Sequence, residues 1–418
     1  MTTAGLARRL GTGDAVLVGL GAMLGAGVFS VFAPAAAAAG HALLIALAAA
    51  AVVAYCNAIS SAQLAAQYPS SGGTYVYGRE QLGPWWGFAA GWSFVIGKTA
   101  SCAAMALTFA TYAVPGPVWL SRTVAVAATL VLAGVNLRGI TKTAAVNRVL
   151  VAATLLALTL VVTAIAGHAH LGALGLQGAR PGSLHGLLQG ASLLFFAFAG
   201  YARIATLGEE VRDPGRTIPR AITVALGIVI IVYAVIAVML LSTLGPGALA
   251  RSHAPLADAA GALWVAPIVR IGAAVASLGA LLALIAGVGR TSLAMARNAD
   301  LPRGLAHVAP GTQVPRNAEI AVAAVVICLV VLFDVRSVIA FSSFGVLLYY
   351  AVANASAFRQ RGAFRRWPRA VNVLGLIGCL TLVAALPLPT LIAGITVLLV
   401  GILGRLATTR WRNSGANG

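Results

Sequence analysis

Apolar segments long enough to cross a bilayer recur from one end of this chain to the other, and no other feature constrains its fold as strongly. About 20 apolar residues suffice for a membrane-spanning helix. With 60% hydrophobic and 9% charged residues, the composition is that of a membrane protein. We therefore predict one all-α polytopic membrane domain over residues 1–418. We count about twelve segments: 14–38, 41–63, 85–114, 121–137, 146–167, 186–207, 218–244, 266–296, 318–333, 337–357, 370–386 and 388–405.

The first segment, from Asp14 to Pro34, concentrates glycine at its middle. It reads DAVLVGLGAMLGAGVFSVFAP and includes the run Gly25-Ala26-Gly27. Each glycine inside a helix costs about 1 kcal/mol relative to alanine. We predict that the helix unwinds at Gly25–Gly27, leaving backbone N–H and C=O groups free for a polar ligand, which a membrane tolerates only where the backbone lines a cavity. Close helix packing through small residues is the alternative.

The sixth segment contains a second candidate interruption, at Phe198-Ala199-Gly200-Tyr201. It opens a second set of five segments, as the first interruption opens the first set. Interrupted helices at corresponding places in two halves are the best sequence indication of an inverted-repeat transporter and its binding site. The two repeats would cover residues 14–167 and 186–357, and residues 370–405 would add two helices. The halves share no residue-level similarity beyond this layout.

The net charge of +19 is distributed as in membrane-protein loops rather than as in a nucleic-acid-binding protein. About three quarters of the 28 lysines and arginines fall in alternate loops, on the same side as the N terminus. We expect both termini to be cytoplasmic, in a plasma membrane, with no nucleic-acid partner. Arg8 and Arg9 precede the first segment, but that segment is too long for a signal peptide, so no cleavable leader is expected.

The four cysteines and six histidines show no metal-ligand spacing, so we expect neither a metal site nor another cofactor. A membrane-embedded enzyme would need paired acids, a His–Glu motif or a Ser–His pair, and the sixth and eighth segments offer none at useful spacing. A sensor that binds an amino acid without moving it is a further alternative to a carrier.

Several motifs resemble those of the amino acid–polyamine–organocation permeases, nearest the branch of the cationic amino acid transporters. They are GAMLGAGVF in the first segment, PSSGGTYVYGREQLGPWWGFAAGW leading into the third, FFAFAGYARIATLGEEVRDPGRTIPRAI around the sixth, and GRTSLAMARNADLP followed by VPRNAEI after the eighth. The resemblance implies a five-plus-five inverted-repeat fold like that of the bacterial leucine transporter, with two extra C-terminal helices. It also implies alternating-access uptake or exchange of amino acids.

An amino acid zwitterion needs the groups that such interruptions expose. The N–H groups of residues 25–27, at a half-helix N terminus, suit the carboxylate. The carbonyls of the preceding half, at Met23, and of Phe198–Gly200 suit the ammonium group. Phe198 and Tyr201 would form an aromatic lid over the ligand, unless they only pack between helices.

The coupling ion is expected to be a proton, although the usual site is altered. Many proton-coupled relatives have a lysine in the fifth segment, and residues 149–167 contain none. Thr154 stands at or beside that position and could complete a sodium site with first-segment carbonyls and Ser277. Lys98 lies near the middle of the third segment, where an ionisable group is a functional candidate. We predict that it takes the proton role or screens against cationic substrates, unless it is a structural lysine bonded to helix carbonyls.

Further charged residues lie near and beyond the sixth-segment interruption. Arg203 could contact the substrate carboxylate, line the pathway or pair with Glu209 or Glu210. Glu209, Glu210 and Arg297 could form an inner gate, or a solvated loop. Lys98 and Arg203 argue by like-charge repulsion against a pocket specific for lysine or arginine. Exchange of amino acids or polyamines and sodium coupling stay open beside proton symport.

Overall fold

The computed structural model describes residues 10–69, 72–139, 143–166, 183–208, 210–261, 263–309 and 312–414. These residues form helices and connecting turns, with one isolated bridge between Leu10 and Val211. The α-helices are α1 Thr12–Met23, α2 Ala26–Ser30, α3 Phe32–Ala39, α4 Leu43–Gln67, α5 Thr74–Leu82, α6 Pro84–Ala113, α7 Val118–Leu137, α8 Thr143–Ala166, α9 Leu184–Phe198, α10 Ala202–Ala205, α11 Pro214–Arg251, α12 Pro255–Ala260, α13 Ala266–Arg297, α14 Arg316–Leu332, α15 Val335–Arg359, α16 Arg369–Ala384 and α17 Leu388–Ser414.

Each predicted membrane segment coincides with one of these helices or with a run of consecutive ones. Among the described residues, nine stretches are long and apolar enough to cross a membrane. Helix α16 and the Val151–Ile165 part of α8 are apolar but shorter. The chain is therefore an all-α polytopic membrane protein, whereas the twelve-helix arrangement in two inverted repeats stays a prediction.

Helix α6 lies within the bundle, packed along both α13 and α15. Small residues allow this close packing. A Cβ atom on Gly97 of α6 would lie 3.1 Å from the Cα of Gly345 in α15, and one on Gly345 would lie 2.6 Å from the Ser93 carbonyl oxygen. This backbone contact fixes the position of Lys98, the residue after Gly97, inside the bundle.

The first apolar segment is interrupted at Leu24 and Gly25. Helix α1 ends at Met23, Gly25 has a non-helical ψ of −137°, and α2 begins at Ala26. Val31 keeps a helical conformation, so α2 runs on into α3 with little change of direction. The interruption thus lies at the N-terminal edge of the predicted Gly25–Gly27 break. Ala26 and Gly27 are helical. The glycine at position 27 is explained by packing, because a Cβ atom there would lie 2.9 Å from the Cα of Ala197.

The α-helix of the sixth segment is interrupted at the predicted Phe198–Tyr201 stretch, but the backbone there tightens into a 3₁₀ turn and does not unwind. Helix α9 ends at Phe198, a 3₁₀ turn covers Ala199–Tyr201, and α10 follows directly. A 3₁₀ turn has three residues per turn and shifts the backbone hydrogen bonds by one residue. The glycine here meets a steric need, because a Cβ on Gly200 would lie 2.5 Å from the Ala22 carbonyl oxygen.

Several contacts lie at the end of the bundle that contains Arg212 and Arg366. We call this end of the bundle the arginine-rich face. The N–H of Leu10 donates to the Glu210 carbonyl over 3.0 Å, and the N–H of Arg212 donates to the Leu10 carbonyl over 2.9 Å. The Arg366 guanidinium donates to the Gly215 carbonyl over 3.0 Å. These contacts tie the start of α1 to the chain that follows α10.

Candidate functional site

The interruption of the first segment and the 3₁₀ turn of the sixth are in direct backbone contact. Gly27 packs on Ala197, and Gly200 packs on Ala22 and Met23 at distances that leave no room for a Cβ atom. Two polar stretches of backbone therefore meet inside an apolar bundle. Their hydrogen-bonding groups must find partners there, because an unsatisfied backbone group in a membrane costs several kcal/mol.

Tyr233 of α11 bonds to both stretches. Its hydroxyl lies 2.6 Å from the Met23 carbonyl oxygen and 3.1 Å from the Ala197 carbonyl oxygen. The side chain is 1% exposed, so water does not compete for this hydroxyl. Tyr233 thereby joins the last residue of α1 to the end of α9. Its sequence context, one tyrosine in a long apolar segment, gave no sign of these partners.

Lys98 reaches the 3₁₀ turn. Its ammonium donates to the Ala199 carbonyl oxygen over 3.2 Å, and the Tyr350 hydroxyl of α15 donates to the same oxygen over 3.2 Å. The residue is 7% exposed. The ion pairs of the described residues join Asp300 to Arg79 and Arg405, and Asp213 to Arg216, so Lys98 faces no carboxylate among them. Among the described residues, the buried Lys98 ammonium group therefore has no ion-pair partner.

The two aromatic residues predicted to form a lid are buried against tyrosines. The Phe198 ring lies 5.0 Å from the Tyr233 ring, and the Tyr201 ring lies 4.9 Å from the Tyr350 ring, measured between centroids. Both residues are fully buried. Their contacts are those of helix packing, and a lid role stays a prediction.

A small cavity adjoins the first-segment interruption on the side away from the sixth. Its volume is about 10 Å³, which is about the room that one water needs. Thr154 contributes to its wall, and the Ser277 hydroxyl is buried in α13 without a hydrogen-bond partner, so a sodium site formed by these two residues stays a prediction. The lining residues are Gly21, Leu24, Gly25, Val151, Thr154, Ala276, Gly279 and Ala280.

The predicted inner gate is not assembled by the described residues. Arg203 donates to the Thr206 hydroxyl over 3.4 Å, and Arg297 is exposed. Within the described part of the chain, none of the residues Arg203, Arg297 and Glu210 forms an ion pair. Glu209 lies outside the described residues. The charges that do meet at the arginine-rich face belong to other residues.

Asp300, which follows α13, is the centre of that charged contact. Its carboxylate lies 3.0 Å from Arg79 Nη1 and 2.9 Å from Arg405 Nη2. The Tyr75 hydroxyl donates to it over 2.8 Å. Burial, and next the bond to Asp300, raises the pKa of Tyr75, so this phenol stays a proton donor at neutral pH. The contact, which we call the Asp300 cluster, ties α5, the end of α13 and α17 together.

The Arg405 end of this cluster is also held by aromatic rings. Its guanidinium lies 4.3 Å from the Trp85 ring centroid and 4.8 Å from that of Phe88, and it donates to the Pro84 carbonyl over 3.1 Å. Arginine favours such stacked, multiply bonded positions because its guanidinium is planar and weakly hydrated. Sequence reasoning missed the cluster, although Asp300 is one of only nine acids and stands in the motif ARNADLP.

A bundle of apolar helices of this kind defines a multi-pass membrane protein. The chain belongs to the amino acid permease family, whose model matches residues 10–403. It is 56% identical over 416 residues to an uncharacterized transporter of Mycobacterium tuberculosis (strain H37Rv), covering 98% of this chain and 94% of the relative. It is thus a transporter and not an enzyme.

More distant relatives have named substrates. A branched-chain amino acid permease of Bacillus subtilis (strain 168) is 25% identical over 430 residues, covering 95% of this chain and 92% of the relative. Human cationic amino acid transporter 4 is 28% identical over 377 residues, covering 84% of this chain and 59% of the relative. The permease resemblance seen in the sequence motifs is confirmed by these matches.

Replacement of Tyr233 by phenylalanine tests the importance of the backbone crossing for stability. We expect Tyr233→Phe to lose about 1–3 kcal/mol of unfolding free energy, because two buried carbonyls lose their shared donor. The measurement is denaturant unfolding in mixed micelles. Tyr55→Phe is the matched control, since Tyr55 is 49% exposed and should change little. Equal losses in the two variants would contradict the role given to the Tyr233 hydroxyl.

Proposed function

We propose that this chain is a secondary active transporter that moves amino acids across the plasma membrane by alternating access, with proton symport as its coupling. The proposal is supported above all by the crossing of the interrupted first helix with the 3₁₀ turn. There the carbonyls of Met23, Ala197 and Ala199 accept hydrogen bonds from side chains. A substrate ammonium group can compete for the same oxygens.

The carboxylate of the substrate would bind on the other side of the interruption. The first N–H groups of a helix have no partner within it and attract an anion. Gly25 precedes this helix start, and Ala26 and Gly27 form its first turn. Backbone groups would in this way bind both ends of a zwitterion without a fixed buried charge. Met23, Phe198, Gly200 and Tyr201 stay in the proposed site through their contacts with this crossing.

The tight packing at the crossing of the first and sixth segments favours a mechanism in which helices move apart to admit substrate. The cavity beside Gly25, about 10 Å³, is far too small for an amino acid. Substrate can enter only if helices part, and we propose that they part alternately on the two sides of the crossing. With both termini cytoplasmic, the Asp300 cluster would lie on the inner side of the bundle.

We further propose that the substrate is not cationic. The Lys98 ammonium already occupies the Ala199 carbonyl, and no described carboxylate faces it. A lysine, arginine or polyamine ligand would bring a second unpaired cation to this place, at a high electrostatic cost. Among the named relatives, this favours the branched-chain permease over the cationic transporters as a guide to substrate class.

Two alternatives are outcomes of the test, and one of them, sodium coupling, has a specific observation in its favour. Sodium coupling is favoured by the contribution of Thr154 to the cavity at the first-segment interruption. A sensor would bind at the same crossing without passing the substrate through. Counterflow of radiolabelled amino acids in proteoliposomes, with imposed proton or sodium gradients, separates the three. Net uptake driven by an inward proton gradient, together with counterflow, supports the proposal, whereas binding without counterflow identifies a sensor.

Two substitutions of Lys98 separate a role in coupling from one in selectivity. We expect Lys98→Met to lose stimulation by the proton gradient and to admit lysine as a competitor, because the charge is removed. Lys98→Arg should lose the stimulation but still exclude lysine, because arginine keeps a permanent charge. The measurement is leucine counterflow and gradient-driven uptake, with lysine as competitor. Full gradient stimulation in Lys98→Met would exclude the coupling role.

A further inference from the structure

Buried polar side chains of α4, α15 and α16, and of the residue that follows α15, form two bonded groups that the proposed substrate site does not use. We call these two groups together the polar file. Polar side chains inside a membrane bundle are expensive, and they usually mark a function or a pathway. The members, all buried except the intermediate Gln67, are Asn57, Ser60, Gln63, Gln67, Asn354, Gln360, Asn372 and Cys379.

The central part of the polar file is a group of bonded amides and hydroxyls. Asn354 Nδ2 donates to Asn57 Oδ1 over 2.6 Å, and the Ser60 hydroxyl donates to Asn354 Oδ1 over 2.7 Å. Asn372 Nδ2 donates to the Ser60 oxygen over 2.7 Å, and the Cys379 thiol donates to Asn57 Oδ1 over 3.4 Å. Three helices are thereby joined by polar contacts, which extend over two turns of α16 from Asn372 to Cys379.

One end of the polar file reaches the arginine-rich face. Gln360 Nε2 donates to Gln67 Oε1 over 2.6 Å and to the Gln63 carbonyl over 3.1 Å. Gln67 and Gln81 both donate to the Tyr68 hydroxyl, over 3.2 and 2.8 Å. Gln67, Tyr68 and Gln81 are partly exposed, so the file opens to solvent at this end.

The other end reaches the carbonyl that Lys98 uses. Asn354 Nδ2 also donates to the Tyr350 carbonyl over 2.9 Å, and the Tyr350 hydroxyl donates to the Ala199 carbonyl. The Tyr201 ring packs on the Tyr350 ring at this junction. The polar file therefore lies between the Lys98 contact and the arginine-rich face, but hydrogen bonds among the described residues do not join its central group to the glutamines or to the Tyr350 hydroxyl.

Unpartnered polar atoms concentrate along this route. Ten buried side-chain atoms in the described residues lack a hydrogen-bond partner of standard geometry, and six of them belong to the polar file or to Tyr201, whose hydroxyl lies near Tyr350 and Asn57. Buried polar atoms in proteins are normally bonded to protein or to ordered water, and water occupies sites that offer it two to four polar partners. The six atoms are Asn57 Nδ2, Gln63 Nε2 and Oε1, Gln360 Oε1, Asn372 Oδ1 and the Tyr201 hydroxyl oxygen.

We propose that the polar file is a binding site for a chain of ordered water molecules that connects the Lys98–Ala199 contact with the arginine-rich face. The waters supply the partners of the six atoms and bridge the central amides to the glutamines. The role of this chain in transport rests on the proposed function: it is the route by which Lys98 exchanges its proton with the solvent while the substrate site is occupied.

The water chain is tested first without any transport measurement, by X-ray radiolytic hydroxyl-radical labelling in detergent. Radicals form from the waters next to a side chain, so buried residues are labelled where ordered water lies beside them. We expect Tyr201 to be labelled at least about fivefold faster than Tyr112. The two tyrosines are matched in burial, 0% and 1% exposed, but the Tyr112 hydroxyl donates to the Phe29 carbonyl over 3.0 Å. Equal labelling of Tyr201 and Tyr112 would overturn the proposal.

The route to Lys98 is tested with Gln63→Leu in proteoliposomes. We expect proton-gradient-driven uptake to fall at least about fivefold while counterflow persists, because water can no longer bridge the glutamines and the central amides. Thr108→Val is the control, since the Thr108 hydroxyl bonds only to its own helix at the Ala104 carbonyl over 2.7 Å. Full gradient-driven uptake in Gln63→Leu would overturn the route. If the wild-type chain shows no proton coupling, the proposed function fails, and the labelling of Tyr201 still decides on the water chain.

Discussion

We expect Gly200→Val to reduce amino acid uptake to background, the largest functional effect among the substitutions proposed for this chain. The Cβ atom would lie 2.5 Å from the Ala22 carbonyl carbon and oxygen and 2.6 Å from the Met23 nitrogen. All three are backbone atoms, so no side chain can turn away. The first helix must shift where it is interrupted, which displaces the Met23 carbonyl from Tyr233. Overpacking of this kind typically costs about 1–3 kcal/mol in stability.

Gly227→Val is the control for this prediction. Gly227 lies inside α11, and a Cβ atom there would meet nothing within 4 Å. The same substitution therefore adds the same side chain without a clash, and we expect near-normal uptake. Both variants are compared by counterflow at matched amounts of monodisperse protein. Near-normal counterflow in Gly200→Val would mean that the contact between the two interruptions is not needed for transport.

The sequence predicted an interruption of the first segment because glycines, which destabilise a helix, accumulate at the middle of that segment. It did not predict which glycine interrupts the helix. Gly25 does so, whereas Gly27 and Gly19 are helical and face Ala197 and Ile204 at distances too short for a Cβ atom. Interruption and close packing both call for glycine. Only the position of the neighbouring helix separates the two causes.

The same ambiguity explains the difference in the sixth segment. Gly200 suggested unwound backbone by analogy with Gly25, but its role is to admit the first helix at Ala22. The segment can therefore remain wound as a 3₁₀ turn, with the Ala199 carbonyl bonded to side chains from two other helices. A lysine in an apolar segment is visible in the sequence. Its acceptor, 101 residues away, depends on how the helices pack.

The largest expected effect on stability comes from Asp300→Asn. The Asp300 side chain is 3% exposed and bonds to Arg405, which is 8% exposed, and to Arg79, which is 28% exposed. The substitution keeps the shape but removes the negative charge, so the buried Arg405 guanidinium loses its ion pair with Asp300. Removal of one partner from a buried ion pair typically costs about 3–5 kcal/mol, mostly through the charge left behind. We expect a loss of unfolding free energy in this range, measured in mixed micelles.

Asp213→Asn is the matched control, because Asp213 and Arg216 are 62% and 76% exposed and 3.8 Å apart. An exposed pair of this kind contributes about 0–1 kcal/mol, so the control should unfold almost as the wild-type chain does. The double variant Asp300→Asn with Arg405→Gln identifies the cause of the loss. If the buried guanidinium is responsible, removing it as well should restore part of the stability. The double variant should then lose less unfolding free energy than the two single variants lose together. Additive losses, or a loss as small as that of Asp213→Asn, would mean that α17 is held by the rings of Trp85 and Phe88 rather than by Asp300.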